Sequence, residues 1–403
     1  MARLVAPSLP LISSLTVVTV LLAIYIGFHR YDWGQPFTKL MCFAAIGTGV
    51  LALHRAPPVS AQTPPWTVWV ECLAYGLLLL LVLQGWGTTY LPHLKDPPWV
   101  DVGYTTQNAA RLFWNEGDNP YTRTDINPRA ELAPEHRGFH YGPAMFLGYA
   151  AATVHPWGYK LSSLSYLLLT LAGMALITRG LSTRGASEAV QLARTLFVVT
   201  GALLCERYWY ELFRQGVSDI FPVCLIVFAL LALQRGVWAW AGALLGLSFA
   251  AKFSPAAFLI ILLCRRATPA RFYIGGLIGA LPLLPFALWD PVALYENVFR
   301  LRFILGFDST SLYSITPAAL HILFPLTQLV AVAACLVYNF YRPVDLRGLL
   351  VQFTLLLIIM EVTFKEIHAN HLIWFLPLIP LAFADSRHRL FTGLTATFKP
   401  PMR

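Results

Sequence analysis

Charge is what this sequence has least of. Only 12% of its 403 residues are Asp, Glu, Lys or Arg, against about 25% in an ordinary soluble domain. That deficit excludes a soluble globular chain and leaves a polytopic membrane protein. Acids are the scarcer sign, 20 against 29 Lys and Arg, for a net charge of +9. The basic residues are dispersed between apolar runs and form no patch, so nucleic acid is not an expected partner. They read as membrane topology, with attraction to anionic lipid head groups as a second effect. The six cysteines show no metal-ligand spacing and lie in or at the ends of apolar segments, as small buried hydrophobes do. No repeat of 20–50 residues, no soluble domain and no inverted symmetry of the transporter kind is visible. Leu11–Phe28 has no small-residue cleavage site and more apolar runs follow, so it reads as a membrane helix rather than a signal peptide.

What fills the chain is apolar and aromatic. Hydrophobic residues make up 57%, mean hydropathy is +0.61, and twelve Trp and seventeen Tyr suit the aromatic belts of a bilayer interface. Spans are expected at Leu11–Phe28, Leu40–Leu53, Val68–Tyr90, Tyr159–Thr178, Thr195–Leu204, Ile220–Leu233, Val237–Ala251, Ser254–Leu263, Phe272–Leu288, Ile315–Tyr338, Leu349–Thr363 and Leu372–Ala384. The total is roughly twelve, with both termini cytoplasmic. The short loop with Arg179, Arg184 and Arg194 and the one with Arg265, Arg266 and Arg271 fix that orientation. The stretch AMFLGYAAATVHPWG is too short to span and is expected to lie on the outer surface.

The longest polar interval is Pro97–Pro143, which falls on the outer side. Asp96 just upstream, then Asp101, Glu116, Asp118, Asp125, Glu131 and Glu135 give it seven carboxylates. Asp101 follows Pro97-Pro98-Trp99 directly after a span and so lies near the membrane surface. A carboxylate there can deprotonate a substrate hydroxyl; it can equally cap an amphipathic helix over Val102–Asn115. Gly117-Asp118-Asn119-Pro120-Tyr121 reads as a turn. Phe139-His140-Tyr141-Gly142-Pro143 re-enters the apolar phase.

Three more polar groups fall on the same side. Glu206, Arg207, Glu211, Arg214, Gln215 and Asp219 cluster beside helix ends, where mutual ion pairing is the plain alternative to a ligand site. Lys252 stands between two apolar segments; a charge at that depth faces protein, water or an anion, or else snorkels. Lys365, Glu366, His368, Asn370 and His371 lie between two late spans. His368 and His371 share a helix spacing, but a full metal-ligand set is absent from the local sequence. An acid, several cations and a His on one side suit a lipid-linked anionic substrate whose departing phosphate the cations stabilise.

The order Asp101, Tyr104, Ala109, Gly117, Asn119-Pro120-Tyr121, Phe139 and Tyr141-Gly142-Pro143 resembles the first outer loop of GT-C glycosyltransferases. It is most similar to the polyprenyl-phosphate-mannose-dependent mannosyltransferases, the group that includes phosphatidylinositol-mannoside mannosyltransferases. FRQGVSDIFPVCLIVFALLAL resembles that family's Gly-Gln-x-Asn helix start, with Gln215-Gly216 in reversed order and Asp219 in place of Asn. AGALLGLSFAAKFSPAAFLIILLCRR, with Lys252 and Pro255, and HANHLIWFLPLIP are the other matches. The resemblance runs from about Asp101 to Pro380.

It implies an all-α GT-C fold with interfacial helices in the first outer loop. Residues 1–66 are extra spans, 67–384 the core and 385–403 a basic cytoplasmic tail. It implies transfer of a hexose, mannose first, from a polyprenyl-phosphate donor to a glycolipid or glycan hydroxyl, with inversion. Transfer takes place outside the cytoplasmic membrane, a bacterial inner membrane by expectation. Asp101 takes the position of the base; Lys252, His371, Arg207 and Arg214 are donor-phosphate candidates. Tyr104, Tyr141, His140, Gln215, Asp219, His368 and Asn370 complete the expected substrate site. No metal and no further cofactor are expected, because the leaving group is already a phosphate. A transporter or flippase for a lipid-linked anion is the competing reading.

Overall fold

Long runs of Leu, Ala and Val with few turn residues leave helix as the one backbone state that satisfies its own hydrogen bonds in lipid. The computed structural model describes residues 65–89, 91–98, 100–127, 134–181, 188–203, 216–304, 312–340, 346–364 and 369–384. Among these every regular element is helical and none is a strand. The two first expected spans and the basic tail lie outside the described residues, as do Glu206, Arg207, Glu211, Arg214, Gln215, Lys365, Glu366 and His368.

The principal helices are α1 (Pro65–Thr89), α2 (Asp101–Arg111), α3 (Gly158–Leu181), α4 (Glu188–Leu203), α5 (Ile220–Gln234) and α6 (Trp238–Ala251). They continue as α7 (Phe253–Leu263), α8 (Ala270–Gly279), α9 (Leu283–Trp289), α10 (Leu323–Phe340) and α11 (Leu346–Val362). Among the described residues two helical stretches, Gly158–Leu181 and Ala318–Phe340, are long and apolar enough to cross a bilayer, and the pair α8–α9 makes a third if counted as one bent span. α1 turns Leu73, Leu77, Leu80 and Leu83 outward. α10 exposes Leu326, Leu329, Val330 and Val337. Apolar stripes of this extent are out of place in water and fit a lipid-facing surface.

Four expectations change. Phe272–Leu288 is not one straight span: α8 and α9 meet at a 53° bend. The break falls at Pro282, which cannot donate to the preceding turn. Leu372–Ala384 is not a continuous helix either, but two 3-10 turns, Ala369–Trp374 and Leu376–Leu378, followed by the short helix Ile379–Ala384. Pro377 and Pro380 again remove backbone donors. α4 begins at Glu188, seven residues before the expected start. The stretch after Trp289, expected as an outer loop, is helical through Pro291–Tyr295, a π turn Glu296–Arg300 and Leu301–Ile304. The stretch after Pro143 is short, as expected, and breaks into Pro143–Gly148 and Ala150–Thr153.

Helix contacts rest on small residues. A Cβ on Gly242 would collide with the Phe272 carbonyl oxygen, one on Gly246 with that of Gly276, and one on Gly279 with that of Ala243. The Gly-x-x-x-Gly spacing of α6 therefore meets its counterpart Gly275-x-x-x-Gly279 on α8. In lipid, where burial adds little drive, such close packing is the main source of helix association. Polar side chains add cross-links: Gln234 Nε2 donates to the Ile177 carbonyl at 3.0 Å, and Ser248 Oγ to that of Pro222 at 3.0 Å.

One buried cluster runs through α3 to α7, α11 and the residues from Ile373 to Ala382. A second, built on Tyr121, Phe139, Phe146 and Phe286, ties the polar loop to it. These aromatic rings meet edge-on, Phe146 and Phe286 at 5.5 Å and 89°, the geometry that ring quadrupoles favour.

Candidate functional site

The polar loop between Pro97 and Pro143 is held by its own turn chemistry. Asn119 Oδ1 accepts from the Tyr121 amide at 3.1 Å, an Asx turn that the Asn-Pro pair makes natural. Phe139 N donates to the Pro120 carbonyl, and Asn297 Nδ2 donates to that of Tyr121 at 3.0 Å. The Tyr121 hydroxyl donates to the Tyr141 carbonyl at 2.7 Å; burial raises its pKa well above the usual phenol range, so it stays a neutral donor. Gly142 N then donates to the Ala251 carbonyl at 3.0 Å. A Cβ on Gly142 would strike the Ala250 carbonyl oxygen. This contact puts Tyr141 against the end of α6, one residue from Lys252.

Lys252 sits in a break. Its φ and ψ of −151° and 120° end α6, and Ser254 stays extended before Pro255. α7 follows the break, and just beyond its end Arg266 N donates to the Phe340 carbonyl at the end of α10. Lys252 does not snorkel. It is 8% exposed, and its Nζ lies 2.6 Å from Asp219 Oδ1. It also lies 4.8 Å from the Trp374 ring centroid and 5.2 Å from that of Tyr141, within cation–π range.

Asp219 precedes α5 at the N-cap position but does not cap it. Its carboxylate turns to Lys252 and to Trp374 Nε1, which donates at 2.6 Å. Asp219 is fully buried. The preceding backbone is fixed by two stacked tyrosines, Tyr149 and Tyr159, with centroids 4.6 Å apart. The Tyr159 hydroxyl donates to the Gly216 carbonyl at 2.6 Å and that of Tyr149 to Ser218 at 3.3 Å. Gly216 has φ of +80°, a left-handed turn that suits glycine.

His371 and Glu361 extend the cluster. His371 Nδ1 lies 2.9 Å from Glu361 Oε2, and its ring stacks on Trp374 at 4.2 Å and 26°. Both residues are buried, at 8% and 5% exposure. The chain of contacts therefore runs from Glu361 through His371, Trp374 and Asp219 to Lys252 and Tyr141. Three distant elements meet: the start of α5, the break after α6, and the turn following α11.

Sequence reasoning names Tyr141, Asp219, Lys252 and His371, and the structure brings these four together. It misses Glu361 and Trp374. Glu361 carried a signal, a lone acid in an apolar run, which in a membrane protein marks a paired or functional group; Trp374 read as a belt residue. His140 helps to build the loop: its Nε2 lies 2.8 Å from the His136 carbonyl oxygen and its Nδ1 3.4 Å from Asn127 Nδ2. Tyr104 is 43% exposed on α2. Asp101 is the first residue of α2, with Val100 at the cap position; its side chain and that of Asn370 lie outside the described residues, as do Arg207, Arg214, Gln215 and His368 altogether. Among the described residues no group of three His, Cys, Asp or Glu is placed to hold a metal ion.

Three other loop acids gather around one arginine. Arg123 holds Asp118 at 2.8 Å and Asp125 at 2.8 Å, with Glu116 at 3.8 Å. The hydrogen bond from Arg123 lowers the Asp125 carboxyl below its usual range. Farther out, His93 Nδ1 lies 2.7 Å from Asp96 Oδ2, and the buried Lys160 ammonium donates to the His93 carbonyl at 2.6 Å.

A sequence profile of glycosyltransferase family 87 matches residues 139–361, more than half of the chain. The matched stretch contains Tyr141, Asp219, Lys252 and Glu361 and ends before His371. No curated protein and no solved structure matches the chain. The apolar helices agree with a membrane enzyme, and by this profile the chain belongs to glycosyltransferase family 87.

Proposed function

We propose that this glycosyltransferase moves a hexose, mannose first among candidates, from a polyprenyl-phosphate donor to the hydroxyl of a glycolipid or glycan on the extracytoplasmic side of the membrane. The observation that carries the reading is the buried group Asp219, Lys252, Trp374 and His371, a charged assembly at one end of an apolar bundle and beside Tyr141 of the polar loop. Charge is costly at such a position and is kept where a charged substrate group is handled. A sugar donor whose leaving group is a lipid phosphate brings an anion to that depth along with its tail.

The reaction needs one base and one set of cations. Asp101 removes the proton from the acceptor hydroxyl, the oxygen attacks the anomeric carbon from the face opposite the phosphate, and the C1–O bond breaks with its electron pair leaving on the polyprenyl phosphate. Attack from the opposite face inverts the anomeric configuration. Lys252 and His371 stabilise the negative charge that grows on the phosphate. Asp219 and Glu361 balance those two groups, so the phosphate draws further on Arg207 and Arg214 from the stretch before Gly216. Tyr104 and Tyr141 offer ring faces to the sugars.

The test is transfer from polyprenyl-phosphate mannose to a membrane lipid extract by the purified protein and by its Asp101→Asn form. Wild type releases polyprenyl phosphate with a new glycoside, and the variant loses roughly 10²–10⁴-fold in rate while still binding donor. Near-normal turnover by Asp101→Asn removes Asp101 from the mechanism.

A further inference from the structure

The reaction as written above uses Glu361 only as a counter-charge to His371, although the two form one of the most buried polar pairs beside the site. We infer that Glu361 is a positioning residue: it fixes the His371 imidazole with Nδ1 as donor, so that Nε2 is the nitrogen offered to the donor phosphate. The inference rests on the reading that His371 contacts that phosphate.

Glu361 is the single acid of α11 and stands one residue before its end. It is 5% exposed, and an ionised carboxylate at that burial is stable only with a donor against it. His371 Nδ1 is such a donor, at 2.9 Å. A carboxylate accepts only, so the hydrogen of this bond resides on Nδ1 and the tautomer is set. The ring is then held in two directions. The hydrogen bond fixes its rotation in plane, and the stack on Trp374 at 4.2 Å fixes its tilt. Trp374 is itself anchored, because its Nε1 donates to Asp219 at 2.6 Å. With Nδ1 committed to Glu361, the contact with the phosphate that the proposed function gives to His371 falls to Nε2. When it donates there the ring carries a positive charge, and Glu361 neutralises it. Carboxylate partners orient metal-bound histidines by the same logic.

A residue that only filled space would not behave this way, and two measurements separate the cases. The first is ¹⁵N NMR of histidine-labelled protein, with the His371 signals assigned by their loss in His371→Gln. Wild type shows His371 protonated on Nδ1, and Glu361→Gln shifts that signal toward a mixture of tautomers; an unchanged His371 spectrum overturns the inference. The second is a double-mutant cycle on transfer from polyprenyl-phosphate mannose. Glu361→Gln lowers kcat/KM roughly 10–100-fold, the loss expected for a charge-assisted hydrogen bond. Adding it to His371→Gln costs nothing further, and Glu361→Asp recovers part of the loss. Factors that multiply in the double variant, or a fully active Glu361→Gln beside a crippled His371→Gln, refute positioning. A fully active His371→Gln refutes instead the contact between His371 and the phosphate, and the positioning role falls with it.

Discussion

Replacing Lys252 by Met keeps the length of the side chain and deletes its ammonium. Asp219 then remains fully buried without the cation 2.6 Å away. Breaking a buried pair from one side costs about 3–5 kcal/mol, whereas an exposed pair is worth about 0–1 kcal/mol. The size of the loss therefore reports where the pair sits. A domain of 150–250 residues moves its Tm by about 2–4 °C per kcal/mol, and a longer chain by less. The single variant should therefore melt several degrees below wild type. Asp219→Asn with Lys252→Met removes both charges together and should melt above Lys252→Met alone, since no buried carboxylate is left without its lysine. The assay is thermal unfolding in one detergent at one scan rate, because membrane proteins commonly unfold irreversibly. A Lys252→Met midpoint within about one degree of wild type, or a double variant less stable than the single, refutes the account of a buried, mutually dependent pair.

Other substitutions test the scaffold around it. Trp374→Phe keeps a ring for His371 to stack on but removes the Nε1 donor to Asp219; it should lower stability by about 1.5–3 kcal/mol in the same melting assay. Gly279→Leu should destabilise by about 1–3 kcal/mol or more, because its side chain meets the Ala243 carbonyl. Gly276→Ala, whose Cβ has only the Gly242 carbonyl oxygen at 3.8 Å, should be neutral or slightly stabilising. Equal losses from the two would refute the close α6–α8 contact. The Arg123–Asp125 contact sets a pH dependence on the turn after α2. The folded carboxyl titrates below its unfolded value of about 3.9, so its stabilisation is complete above that pH and is lost as pH falls through the folded pKa. Hydrogen exchange of the turn, corrected for intrinsic rate, should lose protection in that acid range, and Arg123→Gln should flatten the change.

Much of the site was legible because lipid makes polar residues conspicuous. Lys252 stands out against the Ala and Phe that flank it, and Asp219 stands at the start of the apolar run from Ile220; a charge at such a position calls for a buried partner. Which partner each takes was not legible. Asp219 lies among Glu206, Arg207, Glu211 and Arg214 in sequence, yet it pairs with a lysine 33 positions away. That pairing depends on how α5 and α6 cross, which residue spacing does not encode. Glu361 went unnoticed because a single acid near a helix end also suits an ordinary interface.

The helices were legible where apolar runs were long, as at α3 and α10. They failed where proline breaks a run without shortening it. Pro282 bends the α8–α9 pair, and Pro377 and Pro380 turn an expected span into 3-10 turns. That last departure matters to the site. The turn Ala369–Trp374 carries His371 and Trp374 three positions apart, a spacing that one 3-10 turn places on the same face. Residues three apart share a face in an α-helix as well, but the eclipsed 3-10 register lines the two rings up at 4.2 Å, so the irregular backbone serves the stack. The same holds at Lys252, whose extended backbone between α6 and α7 lets its side chain reach Asp219.

The central claim is that the buried group around Lys252 handles a sugar attached to a lipid phosphate. Purified protein in lipid nanodiscs should be given radiolabelled mannose on polyprenyl phosphate and, separately, on a nucleoside diphosphate, each with a membrane lipid extract as acceptor. The account predicts label transfer from the polyprenyl-phosphate donor alone, with the anomeric configuration inverted in the product and the rate sharply reduced in Lys252→Met. Transfer from the nucleoside diphosphate donor, or a Lys252→Met protein that folds and transfers at the wild-type rate, would contradict it.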